Sequence, residues 1–188
     1  MTTRLSVHPL TPERWPDMVE LFERRGPRGG HRNTPAYGCW CMWWRDRTLE
    51  HGEPKKRALE ALVRAGREPG LVAYDDGEPV GWVSIAPRSD YPALLRSPQY
   101  RPRDENEGVW SIVCFAVDRN ARRRGVTSAL LEAAVAHACR RGAKVVEAYA
   151  HNTKRDDYMG WRDLYLAHGF EVARVASKRS IMRRSCRP

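Results

Sequence analysis

The chain has 188 residues, a formal net charge of +10 and 41% hydrophobic residues, enough for one ordinary domain with its own core and no metal or disulfide staple. No apolar stretch nears the ~20 residues that a membrane helix needs, and Met1–Val7 lacks the long apolar core of a signal peptide, so a cytoplasmic protein without a membrane partner is expected. The positive charge fits anionic partners in general, from phosphate-bearing small molecules and acidic substrates to nucleic acid.

Thr11-Pro12-Glu13 reads as a helix start, a capping residue followed by Pro in the first turn. Trp15, Met18, Val19 and Phe22 continue it at helical spacing up to Gly26. A Gly-, Pro- and Asn-rich loop over 26–38 then runs into the aromatic patch Tyr37-Gly38-Cys39-Trp40-Cys41-Met42-Trp43-Trp44. Pro54 opens a second helix through Leu59, Leu62 and Val63, ending at Gly66. Leu71–Tyr74 and Pro79–Ile85 read as strands joined by the turn signal Asp75-Asp76-Gly77-Glu78. Residues 87–107, rich in Pro, Arg and Asp, form a long irregular connection of the kind that is usually functional or mobile. Val109–Val117 is the central strand, Val126–Arg141 a helix, Lys144–Ala150 a strand and Tyr158–Ala167 a helix. Phe170–Val175 and Arg179–Met182 close the sheet. This order predicts an α/β fold, a mixed sheet with helices on both faces, in a single domain spanning 1–188.

Between the central strand and the long helix lies Arg122-Arg123-Arg124-Gly125-Val126-Thr127. The first amides of a helix have no acceptor within the helix, and the positive end of its dipole sits there, so such a turn suits a phosphate or pyrophosphate. Gly125 permits close approach of a ligand to the backbone, and the arginines add charge-assisted hydrogen bonds. The bland alternative is a solvated basic turn.

This segment resembles the acyl-CoA-binding motif of the GNAT acetyltransferase superfamily, Gln/Arg-x-x-Gly-x-Gly/Ala. Arg122 and Gly125 fill the first two fixed positions, and Thr127 departs from the small third one. Asp163-Leu164-Tyr165-Leu166-Ala167-His168-Gly169-Phe170 resembles a later helix of the family, in which a Tyr precedes a Gly-Phe pair by four residues. The resemblance covers about residues 71–183, and more loosely the N-terminal helices. Gly38–Arg45 and Gly81–Arg88 resemble a bacterial subgroup of that superfamily with a Cys-Trp-Cys-rich N-terminal segment.

The resemblance implies a GNAT-like α/β fold with a mixed, mostly antiparallel sheet, and acetyl-CoA as co-substrate. Phe115, Ala116 and Val117 would face the pantetheine arm, and Arg122, Arg123, Arg124, Gly125, Val126 and Thr127 the pyrophosphate. Tyr165 would protonate the leaving thiolate, with Tyr158 as the alternative and helix packing as the structural reading of Tyr165. Asp104, Glu105 and Glu107 precede the central strand, Glu147 is on the following strand, and His151, Asp156 and Asp157 lie at that strand's end. Since many proteins of the superfamily use a Glu near the central strand, Glu107 is put forward as the general base, with a solvated loop carboxylate as the structural reading of each and no strong base needed for an acceptor of low pKa. Trp40, Trp43 and Trp44, within the 26–52 segment, would form a wall of the acceptor site for a flat or apolar acceptor, or else pack beneath the first two helices.

The five Cys, an odd number, suggest free thiols rather than a disulfide framework, with Cys114 and Cys139 buried. Cys39-x-Cys41 is too close-spaced for a finger, and His31 and His51 do not complete a ligand set, so no metal is expected. The activity implied is direct acetyl transfer to a small-molecule or peptide amine by a monomer or homodimer. The alternatives are an acyl-CoA-binding sensor that does not transfer, and a basic nucleic-acid-associated regulator, for which no nucleic-acid-binding motif stands out.

Overall fold

A computed structural model describes residues 5–24, 38–154 and 158–186. Its sheet runs β1-β2-β3-β4-β5-β7-β6, where β1 is Leu5–Pro9, β2 Gly70–Asp75, β3 Glu78–Pro87, β4 Val109–Val117, β5 Val145–His151, β6 Glu171–Ala176 and β7 Arg179–Ser185. Every neighbouring pair is antiparallel except β4 with β5. The helices are α1 (Trp15–Glu23), α2 (Glu53–Arg64), the single turn α3 (Pro92–Leu95), α4 (Val126–Arg140) and α5 (Arg162–Ala167).

Each face of the sheet is covered by helices, with the α1 and α2 stripes read from the sequence on one of them. Met18, Leu21 and Phe22 of α1 and Leu59 and Val63 of α2 pack with Trp40, Trp44 and Trp82 on one face. Leu130, Leu131, Ala134 and Ala138 of α4 pack with Val83, Ile85, Ile112 and Phe115 on the other. Gly81 of β3 sets how closely α4 approaches: a Cβ there would lie 2.7 Å from Val126 Cγ1. The absence of a side chain at one strand position therefore fixes where the first turn of α4 sits.

One strand was not expected, and two expectations need correction. Leu5–Pro9 is a strand, paired with β2 from Leu5↔Asp75 to Pro9↔Leu71. Its signal is only two apolar residues, Leu5 and Val7, that reach the α4 side of the core. The helix expected over 158–167 begins at Arg162, because Gly160 has φ +73° and Trp161 is extended. Lastly, Cys139 and Cys186 form a disulfide, and are not free thiols. The chain leaving β7 runs past the start of β5, where the Cys186 N–H donates to the Lys144 carbonyl (2.9 Å). That brings the two Cα atoms to 5.3 Å, within bridging range. Cys39, Cys41 and Cys114 are unbridged. Part of the 26–38 loop, together with His31, Asp156 and Asp157, lies outside the described residues.

Candidate active site

The site starts where two parallel strands part. β4 and β5 pair from Val109↔Val145 to Ile112↔Ala148 and then diverge. Residues 158–161 enter the gap: the Phe115 N–H donates to the Tyr158 carbonyl (2.5 Å), and the His151 N–H to the Gly160 carbonyl (3.0 Å). Beside the gap, β4 carries one extra residue, since Ser84 pairs with Cys114 and Ile85 with Ile112. The bulge interrupts the in–out alternation, as an added residue must. Val113 and Cys114 both pack on the α1/α2 face, whereas Ile112 and Phe115 face α4.

On the α4 side a groove of about 770 Å³ follows the end of β4 and the loop beyond it. Phe115 and Val117 give it an apolar flank, and Arg122, Arg123 and Lys154 supply cations. Asp118 caps the turn that precedes the loop, accepting from the Asn120 N–H (2.8 Å). Gly125 is the N-cap of α4, with φ +80° and ψ +1°, and contributes no capping side chain. The first amides of the helix, at Val126, Thr127 and Ser128, have no intrahelical acceptor, and these residues line the groove. A diphosphate fits this surface on three counts: open amides, the positive end of a helix of 15 residues, and flanking guanidinium groups.

Across the sheet lies a smaller cavity of about 240 Å³. Its walls include Trp43, Trp44, Cys39, Cys41, His51 and the bulge residues Val113 and Cys114. The loop carrying these residues is tied at its base, where the Gly52 N–H donates to the Gly38 carbonyl (2.8 Å). Trp40 and Cys41 both take left-handed backbone angles, φ +46° and +52°. This tight turn, closed by the Met42 N–H on the Cys39 carbonyl (3.0 Å), sends Trp40 into the core against Trp15 and Phe22 while Cys39 and Cys41 face the cavity. Burial and the neighbouring Cys41 sulfur push the Cys39 thiol above its ordinary range, which keeps it protonated at neutral pH. The Cys41 sulfur accepts from Trp82 Nε1 (3.1 Å).

Tyr158 lines both spaces. It stands at the gap, 40% exposed, with the groove on one side and the cavity on the other.

Several residues expected in the site are elsewhere. Tyr165 is fully buried, donates to the Met159 carbonyl (2.9 Å) and packs its ring on Phe170. Glu107 is an exposed residue at the start of β4, opposite the end that meets the groove, and pairs with Lys144 (3.5 Å). Ala116 keeps only its backbone for the role expected of it, since its side chain packs in the core on the α1/α2 face, and Arg124 turns away to Asp75 (2.7 Å). Trp40 is a core residue, while Trp43 and Trp44 do line the cavity. No sequence motif points to His51, whose place depends on the closure of its loop.

Glu147 and Asp104, also weighed as bases, are tied up in an ion-pair network. Arg88, fully buried, donates to Glu147 (3.2 Å), to Asp104 (3.1 Å) and to Asn106 (2.7 Å). Arg183 meets both carboxylates, and the Tyr149 hydroxyl donates to Glu147 (2.6 Å). Burial and the Glu147 carboxylate hold the Tyr149 phenol well above its ordinary range, so it remains a donor. A buried arginine needs such partners, and here they pin the 88–106 connection onto β5 and β7.

A model of the acetyltransferase (GNAT) family matches residues 31–170. No curated protein matches. Among solved structures, the chain is similar to the PaiA N-acetyltransferase of Thermoplasma acidophilum in complex with coenzyme A (13% identity, 97% of this chain and 99% of that one, TM-score 0.54). It is similar also to a ribosomal-protein-alanine N-acetyltransferase of Brucella melitensis (21%, 96% and 99%, TM-score 0.57). A third is yncA of Salmonella typhimurium with its cofactor acetyl-CoA (17%, 97% and 94%, TM-score 0.56). At these identities the likeness is one of fold.

Proposed function

Because the chain belongs to the acetyltransferase (GNAT) family, whose co-substrate is acetyl-CoA, we propose that it transfers acetyl directly to a primary amine seated in the cavity behind β4. The observation that carries this reading is the position of Tyr158, which borders the cofactor groove and the acceptor cavity at once. In the proposal, the amides of Val126, Thr127 and Ser128 hold the diphosphate with Arg122 and Arg123, and Gly125 leaves room for it. Phe115 and Val117 flank the arm that reaches into the gap. Trp43 and Trp44 receive the acceptor, and the 38–52 segment forms that wall of the site. The same Cys-Trp-Cys segment is our reason for assigning the chain to the bacterial subgroup that it resembles.

Attack of the amine on the thioester releases a thiolate that must gain a proton, and a positioned phenol supplies it. Tyr158 takes that role in place of Tyr165, whose hydroxyl is spent on the Met159 carbonyl in the core. Tyr158→Phe removes the donor and leaves the ring. Thiol-release assays should show kcat falling about 100-fold with the calorimetric affinity for acetyl-CoA unchanged, while Tyr165→Phe keeps kcat within a few-fold. Full turnover in Tyr158→Phe would remove it from the mechanism.

A further inference from the structure

The cavity behind β4 says more than that an amine is accepted, and what it says rests on the transferase reading above. We infer that the acceptor is a weakly basic aromatic primary amine, bound as its neutral free base, and that His51 takes the proton it gives up.

Size and shape come first. An apolar cavity of ~150 Å³ is enough for benzene, so about 240 Å³ holds a ring with its amino group and a substituent. Two indoles, Trp43 and Trp44, supply flat walls, and Val113, three Cys thiols, His51 and Tyr158 complete the lining. Such surfaces favour an aromatic guest stacked or edge-on.

Charge decides the protonation state. Among the described residues, no carboxylate lines the cavity. The nearby Asp46 carboxylate instead accepts from Thr48, at 2.8 Å from its N–H and 2.6 Å from its hydroxyl. Asp46 also feels the Lys55 charge, and the charges set over the two indole rings themselves are positive. Lys55, almost wholly buried, places its ammonium 5.4 Å from the centre of the Trp43 ring. The Arg47 guanidinium lies 4.9 Å from each of the Trp43 and Trp44 rings. Each indole thus already has a cation of the protein close to its ring, which leaves it poorly suited to attract a second one. At an effective dielectric near 20, a second like charge several ångströms from the first is disfavoured on the order of 30-fold, which applies to a substrate ammonium near Lys55. Arg47, exposed and screened by salt, adds less. A neutral amine escapes both.

A neutral amine needs no base before it attacks, only one afterwards. Its nitrogen bonds to the acetyl carbon, the carbon–sulfur bond breaks, and the electron pair leaves with sulfur, which takes the Tyr158 proton. The His51 imidazole, in the same cavity with its ring 6.4 Å from that of Trp43, accepts the proton shed by nitrogen. Proton exchange with water restores both side chains, and the products are the acetamide and free CoA thiol.

The test is thiol release from acetyl-CoA with two isomers, 4-methylaniline and benzylamine. They have the same atoms and nearly the same size, but only the second is protonated at neutral pH. Spermidine serves as a polycation, and calorimetry with acetyl-CoA is run alongside. The expected result is a kcat/KM for 4-methylaniline at least about 30-fold above benzylamine, and negligible turnover of spermidine. His51→Asn should lower kcat for 4-methylaniline about 100-fold with acetyl-CoA affinity intact, and Trp43→Ala should raise the KM of that amine. Preference for benzylamine or spermidine, or no transfer to 4-methylaniline, in protein that binds acetyl-CoA overturns the acceptor assignment and spares the transferase reading. Absence of acetyl-CoA binding strikes the transferase reading itself, and this inference with it.

Discussion

Two tyrosines seven residues apart have opposite fates. Tyr165 stands four residues before Gly169-Phe170 and so carries the sequence signal, yet the fold spends its hydroxyl on a core carbonyl. Tyr158 has no motif around it, and only the left-handed turn at Gly160 and the hydrogen bond between the Phe115 N–H and the Tyr158 carbonyl bring it to the gap. A linear pattern reports spacing along a helix, and cannot report which strand gap a neighbouring turn will fill. Gly125 was legible, because an open helix N-terminus imposes its own residue requirement. Its φ of +80° disfavours other residues, although a Cβ there would meet no atom within 4 Å. Gly125→Glu should therefore fold, with a stability loss of about 1 kcal/mol, and place a carboxylate beside the phosphate amides. Calorimetric titration should show CoA binding weakened at least about 100-fold, since a like charge replaces a favourable dipole contact; unchanged affinity contradicts the groove assignment.

At the scale of elements, the six strands β2 to β7 and the apolar stripes of α1 and α2 could be read from periodicity, because both helices bury one face, whereas the strand order and β1 could not. Nor could the bulge in β4. Val109–Val117 is an almost unbroken apolar run, which gives no clue to which side chains share a face. Pairing with β3 alone reveals that Val113 and Cys114 lie together. The disulfide was missed because the parity of the cysteine count says nothing about one close pair. It joins the last turn of α4 to the residue after β7 across a separation of 47 residues. Closing a loop of that size restricts the unfolded chain by about 4 kcal/mol on the entropic model. Denaturant titration of Cys139→Ser, or of reduced protein, should show stability lower by 2–4 kcal/mol, with CoA affinity within a few-fold because the bridge sits at the far end of α4 from the groove. Equal stability in the two redox states would contradict the assignment of this pair.

For the whole molecule, a net charge of +10 suggests a general affinity for polyanions, but much of the arginine is consumed internally. Arg24, Arg45, Arg64, Arg67, Arg88, Arg124, Arg183 and Arg184 are all in ion pairs. Total charge therefore conceals its own distribution, and Arg122, Arg123 and Lys154 come together in a single groove. In the proposed reading the two faces of the sheet divide the work: α4 and its loop would hold the phosphates, the aromatic segment would receive the acceptor, and the parting of β4 from β5 would join them. The most direct test is a crystal structure of the protein with CoA. The diphosphate should lie within hydrogen-bond distance of the amides of Val126, Thr127 and Ser128, and the thiol in the gap beside Tyr158. A CoA molecule bound away from the start of α4, or a thiol pointing away from the gap, would contradict this placement.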